Sequence, residues 1–338
     1  MKPKWRNVNQ TLLKKVFILA LLGMLGTWLL AAAPALAQGG APPSIEKPAV
    51  AEEKAEEAPT TCGPLISDTC IPLGEHKVSM SLTFAYSVYP GLFDRNWKYV
   101  TAGGNFGTFY MPLRVTFGVM KNWEMYVIAP FIVNSANSLT NPGPNGERAA
   151  TYTGIGDISW FNKYQFIEEG KLAPWMPAVS GVFGVGFPTG HASNLNPRFL
   201  GVDAIGTGSF AFTTGVNLYK WLKPFLIYSN IWITNPVNIY PDNGSNVRSR
   251  SYVTANLAAE LPLNKKFVAL FEVYSNWTWT TITTPQGYQT PQTVLGVLPG
   301  IEFLATDKLT MSAGASFDLL GKNGVRKFTP MFTVFYSF

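Results

Sequence analysis

KFTPMFTVFYSF, residues 327–338, carries five aromatic residues and has nothing polar after Phe338. At a period of two, Phe328, Pro330, Phe332, Val334, Tyr336 and Phe338 share one face, and Lys327, Thr329, Met331, Thr333, Phe335 and Ser337 the other. One face is wholly apolar and the other mixed. Chain termini usually fray, because ordering them buries little. An apolar terminal strand makes sense if it must pair with the first strand to close a barrel, since an open edge in hydrocarbon leaves backbone groups unpartnered.

The same alternation recurs upstream. Val78, Met80, Leu82, Phe84, Tyr86 and Val88 oppose Ser79, Ser81, Thr83, Ala85 and Ser87, while Leu309, Met311, Ala313, Ala315, Phe317 and Leu319 oppose Thr310, Ser312, Gly314, Ser316 and Asp318. From residue 76 onward the pattern reads as twelve strands, near 76–89, 106–119, 123–134, 153–167, 175–188, 205–219, 224–235, 250–262, 266–281, 292–304, 308–319 and 327–338. Short connections alternate with mostly longer ones rich in Gly, Pro and Asn, as in outer-membrane barrels with short periplasmic turns and longer external loops. The expected fold is all-β: a transmembrane antiparallel up-and-down β-barrel over 76–338 with both termini periplasmic.

The other end of the chain fits that solvent. Lys2, Lys4, Arg6, Lys14 and Lys15 precede an apolar run that finishes at Ala35-Leu36-Ala37, the layout of a secretory signal peptide over 1–37. Without those residues, 21 basic remain against 20 acidic, a formal +1, so the basic character belongs to the targeting segment and nothing points to nucleic acid. Charged residues make up 14% of the chain, against about 25% in soluble domains. Residues 38–61, rich in Ala, Pro and Glu, read as a disordered periplasmic tether. Together these features place the chain in the outer membrane of a Gram-negative bacterium, with lipid as its surroundings.

Cys62 and Cys70, close in sequence in an exported chain, are expected to form a disulfide that staples 62–75 ahead of the first strand. Four prolines, Pro112, Pro130, Pro299 and Pro330, fall inside strands, and Pro112 with Pro130 should face each other across a bulge or broken ladder. Strand parity points Arg114, Asp157, Lys163, Glu272, Asp318 and Lys327 into the lumen, with Tyr126, Phe161, Tyr228, Trp232, Tyr252, Tyr274 and Phe335. These charges either select solutes along a polar pathway or form a paired network that fills the barrel. The aromatic rings either offer sliding contacts to a solute or pack the interior.

TGIGDISWFNKYQF (153–166), GVGFPTG (184–190) and GTGSFAFTTGVNLYK (206–220) together resemble the outer-membrane family labelled as transporters of the MetA pathway of phenol degradation. The resemblance covers 75–338, is best in the middle third, and implies transport of small molecules, aromatic ones included. The Tyr336 and Phe338 ending likewise resembles the signal by which the outer-membrane assembly machinery selects its clients. Some twelve-stranded barrels are phospholipases, but the two histidines here offer little: His76 opens a strand, and His191 shares one loop with Ser193 and Asn194. No metal cluster, phosphate loop or cofactor motif is present in the sequence. The expected function is a channel or transporter for small solutes, aromatic or apolar, and not an enzyme; the alternative is a structural or adhesion barrel with a plugged lumen.

Overall fold

The computed structural model describes residues 61–238, 250–279, 282–284 and 287–338; the signal peptide and all but Thr61 of the tether lie outside the described residues. The barrel belongs to one compact unit, Ala58–Leu172 with Met176–Phe338; of the other, Met1–Glu57 with Ala173–Trp175, only the last three residues are described. The strands are β1 (Val78–Phe93), β2 (Tyr99–Thr101), β3 (Asn105–Met120), β4 (Trp123–Asn137), β5 (Ala150–Ile155), β6 (Ser159–Ile167), β7 (Ala178–Gly186) and β8 (Ser209–Leu222). They continue with β9 (Phe225–Asn238), β10 (Tyr252–Pro262), β11 (Phe267–Thr278), β12 (Ile282–Thr284), β13 (Gly287–Gln289), β14 (Thr293–Leu304), β15 (Leu309–Lys322) and β16 (Val325–Ser337).

Each strand pairs antiparallel with its neighbour, and β16 returns to β1, with Ser79 opposite Ser337 and Phe84 opposite Phe332. β5 and β6 both pair with β4 and are two halves of one stave, β2 pairs with the loop end of β1 in line with β3, and β12 with β13 forms a separate hairpin. Twelve staves therefore close the barrel. The seam runs to the final residue, whose N–H donates to the Val78 carbonyl at 2.9 Å. Closure gives every stave two neighbours, as hydrocarbon requires.

Alternation sorts the side chains as the sequence implies. Phe84, Phe117, Phe183, Phe212, Phe271, Phe317 and Phe332 face outward and exposed, whereas Ser79, Thr116, Thr213, Asn217, Asn256, Ser312 and Thr329 are buried inside. Asn162, on the outward face of β6, accepts from Trp123 Nε1 at 3.3 Å. Pro112 and Pro130 do face each other across a continuous ladder, and of the bulge or broken ladder expected there the structure has the break, in the neighbouring ladders. Their missing donors are accommodated on the outer sides. There the β1–β3 ladder skips Met111 and Pro112, and the stave beside Pro130 is interrupted between β5 and β6. Pro299 and Pro330 each coincide with a similar gap, in the β14–β15 and β16–β1 ladders.

One end of the barrel carries the connections 121–122, 168–177, 223–224, 263–266 and 305–308, and the other carries the longer loops, with one correction. The last loop, expected over 320–326, is the two-residue turn Asn323-Gly324, because Asn-Gly takes the tight hairpin conformation readily and Asn323 has a φ of 53°.

Candidate functional site

The lumen holds part of the chain itself. Residues 61–77 precede β1, and their backbone donates to acids on the inner wall. Glu272 Oε1 accepts from Leu65 N at 2.7 Å and Ile66 N at 2.9 Å, and its Oε2 accepts from Ser67 N and Ser67 Oγ, each at 2.7 Å. Glu302 accepts from Cys62 N at 2.8 Å, and Glu124 accepts from Leu73 N. A carboxylate on a run of backbone N–H groups makes charge-assisted hydrogen bonds, each worth about 1.5–3 kcal/mol. The wall thus grips the segment by its main chain.

Asp68 is the segment's own anchor. Its carboxylate meets Arg114 Nη1 at 3.1 Å and Lys163 Nζ at 3.4 Å, and accepts from Asn217 Nδ2 at 3.0 Å. Its backbone exchanges two 2.8 Å hydrogen bonds with the Asn230 side chain. Burial alone would raise this carboxyl, but the two cations outweigh burial and hold it below its ordinary value. Lys163 is wholly buried and also reaches Glu124 at 2.8 Å and the Thr69 carbonyl at 2.7 Å.

The other expected lumen residues serve different places. Tyr228 donates to Glu260 at 3.0 Å and meets Thr61 at 3.2 Å. Tyr274 donates to Asp318 at 2.7 Å, and the other Asp318 oxygen accepts from Lys327 N at 2.7 Å, so this trio lies near the loop end, away from the segment. Asp157 sits in the break between β5 and β6 and clamps a loop rather than lining the passage: it accepts from Gly190 N at 2.9 Å and from Thr207 N at 2.7 Å. His191 in that loop meets the Asp203 carbonyl at 3.1 Å and stacks on Tyr152. At the seam, the Tyr336 and Phe338 rings pack edge to face at 4.9 Å.

The expected disulfide is absent: Cys62 and Cys70 are free thiols. The physical reason is that the wall holds them apart. Cys62 Sγ lies 3.5 Å from Ser312 Oγ on β15, whereas Cys70 packs among Ala178, Tyr219, Leu226, Tyr228 and Ala258 on β7 to β10. Hydrogen bonds to the wall order the segment instead. Glu124, Glu260 and Glu302 have inward parity, but they lie close to the turns, where an acid reads from sequence as rim.

The segment leaves a cavity of about 1320 Å³ beside it. Hydroxyls of Ser79, Ser81, Thr83, Ser312 and Thr333 line one side and the rings of Phe161 and Trp232 another. Tyr126, Phe161 and Trp232 form a band, with centroids 5.0 and 5.8 Å apart. Gly184 lies opposite Phe161 and Gly215 opposite Trp232, and a methyl at either glycine would collide with the ring. Glycine lets these rings lie flat on the wall, so the band does not fill the lumen.

No family model and no curated protein matches the chain, so the MetA-pathway resemblance rests on its three motifs. Solved structures do match. The fold is that of an outer-membrane β-barrel. An outer membrane channel from Pseudomonas putida F1 aligns at a TM-score of 0.63 with 11% identity, over 80% of this chain and 98% of that one. The transport unit of the autotransporter AIDA-I from Escherichia coli aligns at 0.45 with 13% identity, over 78% and 91%. At these identities the likeness is one of fold.

Proposed function

We propose that this chain is an outer-membrane channel for small solutes, aromatic or apolar, in which residues 61–77 form a plug that narrows the passage. The observation that carries the reading is the cavity of about 1320 Å³ left beside the plug, with flat aromatic rings on one wall. A barrel whose interior only needed filling has no use for Phe161 and Trp232 laid against Gly184 and Gly215. The MetA-pathway resemblance, and the fold shared with a protein described as an outer membrane channel, agree with this reading.

In this reading the chain is exported by residues 1–37, the termini and short turns face the periplasm, and the Tyr336 and Phe338 ending engages the assembly machinery. Loss of the folded, heat-modifiable form on removal of Phe338 tests that last point. The structural or adhesion barrel is the second reading, favoured by the grip of the wall on the plug. Planar bilayers and liposome flux of phenol against glucose, with the full chain and with 62–75 deleted, separate the two. A channel passes phenol faster than glucose and conducts more without the plug. Silent bilayers and no flux from both folded proteins leave the structural barrel.

A further inference from the structure

Acids and bases are mixed in the lumen, but they are not equally open to water. Glu124, Glu260, Glu272 and Glu302 are between 0 and 3% exposed, and Asp68 is 7% exposed. The cations at the turn end of the cavity, whose own buried acids Asp68 and Glu124 are paired with Arg114 and Lys163, are in the opposite condition. Lys77, Lys265, Lys266 and Lys308 are exposed, line the cavity, and have no ion pair among the described residues. Asp307 is the one exposed acid lining it, among the described residues.

We infer that this turn-end vestibule is an anion-collecting site, selecting small organic anions, with an aromatic carboxylate as the solute that suits both its charge and the rings beyond it. This rests on the channel reading above and adds the charge of the solute. Four ammonium groups at the rim of a low-dielectric cavity focus their field inward, which raises the local anion concentration by about tenfold or more. Deeper in, Arg114 lies 3.6 Å over the Tyr126 ring with its side chain 29% exposed, but Asp68 and Glu124 pair with it, so the unpaired positive charge stays at the lysine rim while the cavity runs on to the aromatic band. Lysines at barrel turns can instead serve lipid headgroups, but these four line the cavity itself.

The test reads the vestibule without requiring flux. Ser81 lines the cavity, and Ser81→Cys in a Cys62→Ser, Cys70→Ser full chain places one thiol there. Its modification is timed with an anionic sulfonatoethyl and a cationic trimethylammonioethyl methanethiosulfonate, in zwitterionic detergent so that no anionic headgroup competes. The full chain keeps Glu52, Glu53, Glu56 and Glu57, so their charge is present throughout the measurement. The expected ratio of anionic to cationic rate, relative to a free thiol, is about tenfold, falling toward one in 1 M salt. Neutralising Lys77, Lys265, Lys266 and Lys308 to Gln should abolish it; the salt series decides the matter alone if that variant does not fold. A faster cationic reagent, a salt-independent ratio, or no reaction with either reagent overturns the inference. Silent bilayers would end the channel reading while leaving this measurement to stand by itself.

Discussion

Ser67 is held twice by Glu272: its backbone N–H and its hydroxyl both donate to Oε2 at 2.7 Å, from 205 residues away in sequence. With Oε1 occupied by Leu65 and Ile66, the carboxylate has no ion pair among the described residues; it is the main socket of the plug.

Glu272→Gln keeps the shape but turns an amide NH₂ toward donors that need an acceptor. Losing acceptance at one oxygen costs on the order of 3 kcal/mol of plug docking. Because closure runs through backbone ladders, the barrel should still fold. Single-channel recordings should show a larger or more frequently open conductance than wild type. A folded variant with unaltered conductance would remove Glu272 from the role of socket.

Asp68→Asn should act more strongly, because it leaves Lys163 buried with half its counter-charge and weakens the Arg114 pair. Breaking a buried ion pair from one side costs about 3–5 kcal/mol. The same anchor sets a pH window. The folded-state value of Asp68 is depressed, so its stabilisation is fully present above the ordinary aspartate value of 3.8 and is lost as pH falls through the lower value. Protease cleavage within 61–77 should therefore stay slow at pH 5 in wild type, speed up below pH 3, and be fast at both in Asp68→Asn. Equal cleavage of the two proteins at pH 5 would contradict the anchor.

Strand number, face assignment and closure were legible in the sequence because a period of two is local: Phe84 or Ser79 declares its face with only its own neighbours as witnesses. Arg114, Lys163 and Glu272 were legible as inward for the same reason. What they touch was not, since the partner is a segment without periodicity. Nothing in CGPLISDTC says that its N–H groups will meet a carboxylate 205 residues later, and two nearby cysteines made a local staple the simpler account. The Asn323-Gly324 turn is legible in the Asn-Gly pair itself, but the surrounding Gly and Lys read as loop.

Cysteine chemistry gives a direct check on the plug. Burial raises the Cys70 thiol to about 11, and burial with the nearby Glu302 also raises Cys62, so both should be poor nucleophiles at pH 8. Folded protein should incorporate little N-ethylmaleimide over minutes, and denatured protein two equivalents without any reductant. A mass two units lower, with no labelling until reduction, would restore the disulfide.

Asp157 carries a prediction of its own, at the loop end. Its two oxygens hold the two ends of the loop over 190–207, one on Gly190 N and the other on Thr207 N and Oγ1, the last at 2.6 Å. Within the loop, Asn196 N donates to the buried Asp203, and the Val202 carbonyl takes a hydrogen bond from Asn134, an inward residue of β4. The loop is therefore folded against the inner wall and pinned at its base. Asp157→Asn presents an NH₂ group to one end and cannot satisfy both, a loss of about 1.5–3 kcal/mol per hydrogen bond forfeited. Local opening should rise while the barrel ladders are untouched. Trypsin reads this directly, since Arg198 is an exposed residue near the middle of the loop. Cleavage after Arg198 should be at least tenfold faster in the variant, with the heat-modifiable form unchanged. Equal cleavage rates in two equally folded proteins would show that Asp157 does not hold the loop.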